Sequence, residues 1–170
     1  MKESIKELLP YFIIIVLVVI IRTFIVTPVM VSGDSMKPNL HDKEMLLERK
    51  IGYNEKAIKR YDIVVVQNDN EKIIKRVIGL PGEHISYKNN KLYINDKLTE
   101  VDFKYRETQD FNLEEICNCT SIPKDYYLVL GDNRPVSKDS RTIGLVSKEK
   151  ILGKAVYRIW PIPKFGNIYK

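Results

Sequence analysis

Ile63-Val64-Val65-Val66 and, after a polar interval over 67–72, Ile73-Ile74-Lys75-Arg76-Val77-Ile78 decide the fold class. Both runs are rich in β-branched residues and bounded by turn formers, the pattern of buried strands rather than helices. Outward from them the same grammar repeats. Ile85 to Ile94 alternates around Lys88-Asn89-Asn90-Lys91, where the two Asn tolerate the left-handed backbone of a tight hairpin. Tyr126 to Leu130 is a further strand stopped by Gly131-Asp132-Asn133, and Ala155 to Trp160 is the last, ended by Pro161 and Pro163. Beyond Pro28, helical periodicity is confined to Asn54–Lys59, and no internal repeat is present. The expectation is a mainly β body with turns about every 8–12 residues, a sandwich or partly closed barrel. Residues 83–125 hold the hairpin and the most polar, least regular stretch, and read as a small inserted subdomain with a loop.

The amino-terminal end differs. Leu8 to Ile21 carries no charge, and Thr23-Phe24-Ile25-Val26 resumes the apolar character after Arg22. Fourteen helical residues span roughly 21 Å, short of the roughly 30 Å of bilayer hydrocarbon. Extension to Val26 gives roughly 28 Å if Arg22 reaches the head groups. A core element rarely runs this long with β-branched residues on every face. A cleaved signal peptide needs a small-residue site, which Thr27-Pro28-Val29-Met30-Val31 lacks. The run therefore reads as one N-terminal transmembrane helix, dividing the chain into a tail and anchor at 1–26 and a body at 27–170. The flanking charges, Lys2, Glu3, Lys6 and Glu7 against Arg22, do not fix its orientation.

Composition narrows the partners. The chain has 170 residues, 44% hydrophobic and 29% charged, which supports a sizeable core and argues against general disorder. The net charge is +6, of which the first 26 residues supply +1 (three Lys/Arg less two Glu), leaving +5 on the body. That excess suits an anionic lipid surface. No helix-turn-helix or aromatic RNA-binding motif accompanies it, so no nucleic-acid partner is expected. Two Cys exclude a multi-disulfide scaffold, and two His argue against a histidine-built metal centre. Neither a metal nor a cofactor is expected.

Chemistry concentrates in three places. Ser32-Gly33-Asp34-Ser35-Met36-Lys37-Pro38 follows the apolar segment, with Gly33 free to adopt an unusual backbone angle and Pro38 stiffening the exit. A serine on such a turn can present its hydroxyl and a backbone N–H to one carbonyl, although S-G-D-S in isolation is an ordinary polar turn. A nucleophile also needs a base within reach. His41, beside Asp42, and His84, after Glu83, sit in polar stretches and read as solvated turn residues. Lys75 lies mid-strand, sharing a face with Ile73 and Val77. There it must snorkel out at a strand edge, pair with a carboxylate, or lose its charge. A desolvated amine whose pKa falls from about 10.4 toward neutrality is a competent general base, which the permanently charged Arg76 is not. The third place is Gly131-Asp132-Asn133-Arg134-Pro135-Val136-Ser137-Lys138-Asp139-Ser140-Arg141. It reads as a tight turn with an Asp139/Arg141 ion pair. It can equally supply Ser137 to orient Lys75, clamped from behind by Asp139 and Arg141.

In this order, an apolar anchor, S-G-D-S-M-K-P at 32–38, Y-D-I-V-V-V at 61–66, K-R-V-I-G-L-P-G at 75–82 and G-D-N-R-P-V-S-K-D-S-R at 131–141 resemble the type I signal peptidases. The likeness covers about residues 8–160. It implies antiparallel sheets, Ser35 as nucleophile and Lys75 as general base. It also implies Ser137 as the residue that positions the lysine, and Asp139 with Arg141 as a structural pair. Val29, Val31, Gly33, Met36, Leu40 and Ile74 would surround pockets for small side chains, with substrate added as a strand beside the segment before Ser35. The implied activity is a membrane-bound serine endopeptidase that removes signal peptides from secreted pre-proteins after a small-x-small pattern. The catalytic body would lie on the outer face of a single-pass membrane protein.

Some family members carry a serine two positions before the nucleophile, whose hydroxyl helps hold the oxyanion. Here that position is Gly33, as in forms typical of Gram-positive bacteria, so the expected donors are the Ser35 N–H and the Gly33 backbone. Cys117-Asn118-Cys119 closes only a small ring, and two free or transiently oxidised thiols are expected. Ser121-Ile122-Pro123-Lys124 matches an S-x-x-K spacing but lacks the companion S-D-N and K-T-G motifs. Rival readings are a related Ser/Lys autoprotease, which the amino-terminal anchor argues against, and a membrane-tethered basic binding module.

Overall fold

A tight turn with Asp69 in the left-handed region, at φ 48°, folds the two β-branched runs onto each other as an antiparallel hairpin. The computed structural model describes residues 2–20, 25–50, 52–53 and 57–169. The strands are β1 (Val26–Met30), β2 (Met45–Arg49), β3 (Ile63–Asn68), β4 (Glu71–Gly79), β5 (Ile85–Lys88), β6 (Lys91–Ile94), β7 (Lys97–Thr99), β8 (Phe111–Asn112), β9 (Tyr126–Leu130), β10 (Val146–Ser147), β11 (Ile151–Trp160) and β12 (Gly166–Asn167). The larger sheet runs β1-β2-β11-β3-β4-β9-β10 with β12 on β11, and the smaller runs β7-β6-β5-β8, all its pairings and those of the larger being antiparallel. The mainly β, antiparallel expectation holds. Of the two architectures expected, a barrel does not form: neither sheet closes, and β1 is an open edge.

The hairpin at 85–94 forms as the alternation implies, with Asn89 and Asn90 at φ 49° and 61°. Strands β1 and β2, which the sequence reading left unassigned, form the edge of the sheet, with β2 on β11 and β1 outermost before the serine turn. Among the described residues the α-helices are α1 (Lys2–Ile20), α2 (Leu113–Cys117) and α3 (Ser140–Ile143). The side chains of Leu8–Val19 on α1 are exposed, which rules out the core reading of this run. Among the described residues, however, no helix is long and apolar enough to cross a membrane. Arg22, read as reaching for head groups, lies outside the described residues, as do residues 54–56 of the short helix expected at Asn54–Lys59. Cys117 and Cys119 are joined in a disulfide, against the expectation of free thiols. The reason is local. Helix α2 ends at Cys117 and Asn118 turns back in the left-handed conformation at φ 51°, which brings the two Cα atoms to 5.2 Å, within bridging range.

Strand β4 separates the cores. Ile73 and Val77 pack with Val64, Val66 and Val129; Ile74 packs on the other face with Ile63, Val65, Val31, Met36 and Leu40. Past the bulge between Val77 and Gly79, Ile78 joins Ile85, Tyr87 and Leu92 of the smaller sheet. Two neighbouring cations, Lys75 and Arg76, are buried in this strand. Arg76 is compensated: its Nε and Nη2 donate to Asp132 Oδ1 and Oδ2 at 2.8 and 2.7 Å, and its guanidinium lies 4.0 Å over the Phe103 ring. Asn39 also donates to Asp132, at 2.7 Å, so the pair ties the 34–40 turn to the loop after β9. Removing one partner of such a buried pair leaves an orphaned charge. Asp132→Ala is therefore expected to lower stability by about 3–5 kcal/mol, read by urea unfolding through Trp160 fluorescence, with Asp132→Leu/Arg76→Met recovering much of the loss.

Candidate active site

The 32–40 turn leaves β1 with Gly33 at φ +76°, a conformation that side chains rarely tolerate, which swings Ser35 back across the sheet. The turn is fastened from the far end of the chain. Asn133 donates its N–H to the Ser35 carbonyl at 2.9 Å and its side-chain amide to the Asp34 carbonyl at 3.0 Å. From β4, Lys75 reaches the same point: its Nζ lies 2.9 Å from Ser35 Oγ and donates to the Ile74 carbonyl at 3.0 Å. Lys75 is 3% exposed. Burial lowers its pKa from the ordinary 10.5 to about 8, against the opposing pull of Asp139, Glu71 and Asp132. A hydroxyl in contact with an amine that is partly neutral near pH 8 can be deprotonated as it attacks a carbonyl.

The other expected residues divide. Asp139 is fully buried and holds Arg141 through two contacts of 2.9 Å while accepting from the Gly131 N–H at 3.0 Å. Ser137 is buried nearby, but its Oγ has no hydrogen-bond partner, so the expected bond from Ser137 to Lys75 is not formed. Val29, Val31, Met36, Leu40 and Ile74 do converge in one apolar cluster beside Ser35. Val31, Met36, Leu40 and Ile74 are buried in it, and only Val29 is partly open. Gly33 stands exposed at the turn, apart from that cluster. Its N–H is donated to Asp42 Oδ1 at 2.7 Å, which removes it as an oxyanion donor; among the described residues the Ser35 N–H has no acceptor. Neither histidine bonds Ser35: His41 faces Glu44, and His84 lies between Asp96 and Glu114.

Sequence reasoning missed the supports. Asn39, Asp132 and Asn133, which hold the turn, carried only a turn signal. The burial of Arg76 has one cue in retrospect, a second cation in an otherwise apolar strand, which must find a carboxylate.

A serine against a buried amine on an antiparallel β scaffold has the parts that a hydrolase working without histidine would need. The family described as "Signal peptidase, peptidase S26" matches residues 4–160. The chain is 40% identical to signal peptidase IB of Staphylococcus aureus, over 98% of this chain and 94% of the relative. It is 40% identical to signal peptidase I of Bacillus caldolyticus, over 97% and 96%. A crystal structure of a signal peptidase I from Enterococcus faecalis V583 superposes with a TM-score of 0.53 at 37% identity, covering 57% of this chain and 95% of that one. The chain belongs to the S26 signal peptidase family and is a protease of that kind.

Because the folded pKa of Lys75 lies below its unfolded value, charging the amine opposes folding. The penalty is complete below about pH 8 and fades as pH rises toward 10.5, and the difference corresponds to about 3 kcal/mol. Lys75→Met is thus expected to unfold at higher urea than the parent at pH 7, with the gap closing above pH 10. Equal midpoints at both pH values would place the amine in water.

Proposed function

We propose that this chain cuts signal peptides from secreted pre-proteins with Ser35 as nucleophile and Lys75 as general base. The observation that carries the reading is the 2.9 Å contact between the Ser35 hydroxyl and a buried amine. Ser35 Oγ attacks the scissile carbonyl as its proton passes to Lys75 Nζ. The ammonium returns that proton to the leaving amine, and an acyl-enzyme remains. Water then attacks the acyl carbon, giving its proton to Lys75 Nζ, and the ammonium passes that proton to Ser35 Oγ as it leaves, which frees the signal peptide and restores the hydroxyl. The Ser35 N–H is the oxyanion donor; a single donor of this kind is worth about 2.7–4 kcal/mol of transition-state stabilisation. Ser137 closes the amine in, and the Asp139–Arg141 pair holds the 131–141 loop in place.

Substrate enters as an added strand on the open edge of β1, where main-chain bonds give affinity. The cluster of Val29, Val31, Met36, Leu40 and Ile74 is packed, with Val29 partly open, in keeping with small side chains one and three positions before the cut. Residues 27–170 are the catalytic body and 83–125 its inserted subdomain. Helix α1, with its apolar side chains uncovered, belongs to a membrane anchor, and the body faces the outer side. Exposed Trp160, Ile162 and Phe165 give the body an apolar corner for the lipid surface.

Purified chain in detergent micelles is expected to release a new amino terminus after a small-x-small sequence, read by amino-terminal sequencing. A cut elsewhere would remove the substrate assignment. Ser35→Ala, Lys75→Ala and Lys75→Arg should each lose at least about 10³-fold in kcat with unchanged circular dichroism. Since the amine must be neutral, kcat/KM should rise with pH through about 8. Activity retained in Lys75→Arg contradicts the assignment.

A further inference from the structure

A second cavity adjoins the site, about 590 Å³, between residues 107–109 and the turn from Arg134 to Thr142. Glu107, Thr108, Gln109, Arg134, Ser137 and Arg141 line it. Arg134, 2% exposed, and Ser137, 9% exposed, are both buried, and the Ser137 Oγ makes no hydrogen bond. The bonds of Arg134 go to neutral oxygens, from Nε to the Gly131 carbonyl at 2.9 Å and from Nη1 to the Thr108 hydroxyl at 2.8 Å. The rings of Tyr87 and Tyr105 lie 5.0 and 4.5 Å from its Cζ, and the Tyr87 hydroxyl is coupled to the guanidinium. Arg76 has Asp132 and Arg141 has Asp139, whereas Arg134 has no carboxylate within ion-pair reach among the described residues. A buried guanidinium with no counter-charge, set in a cavity wall beside an unpartnered serine hydroxyl, is suited to an anionic oxygen arriving from outside.

The cavity lies next to the serine. A Cβ on Gly131 would collide with both Ser137 Oγ and the Ser35 carbonyl, so a single glycine separates the cavity wall from the serine turn. None of the apolar residues assigned to the side chains before the cut lines it. We propose that this cavity receives the first residues of the chain released by cleavage. The Arg134 guanidinium and Ser137 Oγ bind a carboxylate side chain there, so that an acidic residue just after the cut is favoured. This rests on the peptidase reading above. Glu107, exposed at the mouth, opposes the preference without abolishing it.

The test uses the full chain in micelles with three peptides identical up to the cut, carrying Glu, Gln or Lys at the second and third residues after it. The Glu peptide is expected to exceed the Gln peptide by about tenfold in kcat/KM, with the Lys peptide slowest. Glu107→Gln, a surface change, should widen the margin. Arg134→Gln, if its circular dichroism matches the parent, should erase the margin while still cutting the Gln peptide; if it does not fold, the peptide series and Glu107→Gln decide. Equal rates for all three peptides overturn this inference and leave the peptidase reading standing. Cleavage of none overturns both.

Discussion

Everything at this site depends on keeping one amine out of water without giving it a counter-ion. Lys75 and Arg76 are adjacent cations in one strand, so they face opposite ways and meet opposite fates. Arg76 is neutralised by Asp132. Lys75 finds only an alcohol and a carbonyl. Asp139 is near enough to raise its pKa, but both carboxylate oxygens of Asp139 are already engaged by Arg141, with the Gly131 N–H adding a further bond. Arg141 therefore acts on the chemistry at one remove: by occupying Asp139 it leaves burial as the dominant influence on the amine.

The same loop after β9 performs a second task. Asn133 grips the backbone at Asp34 and Ser35, and Asp132 grips Arg76 and Asn39. The Ser35 turn and the strand that carries Lys75, 40 residues apart in sequence, are thus referenced to one short segment. A shift of that segment moves the hydroxyl and the amine together, which preserves their separation better than two independent supports would.

Much of this was legible in the amino-acid order. β-branched runs announced β3, β4, β9 and β11; the Asn89-Asn90 pair announced the hairpin; and Lys75 stood out because an apolar strand has no use for an amine on its inner face. The failures have physical causes. β2, Met45 to Arg49, mixes buried Leu46 and Glu48 with half-exposed neighbours, so composition concealed its alternation. The Cys117–Cys119 bridge depended on a left-handed Asn118 at a helix end, which spacing alone does not reveal. The Asp132–Arg76 pair joins residues 56 apart, and local pattern carries no information about such a meeting. Ser137 lies buried beside Gly131, but the bond expected of it is absent because the amine turns to Ser35 and Ile74 instead.

The most direct check is to titrate the amine itself, by following the Lys75 side-chain carbon signals in a chain labelled with ¹³C-lysine and assigned against Lys75→Arg. An inflection near pH 8 is the result expected of a desolvated base held against Ser35. A midpoint at 10 or above would mean a charged, hydrated lysine at working pH, and the chemistry described here could not be performed by it.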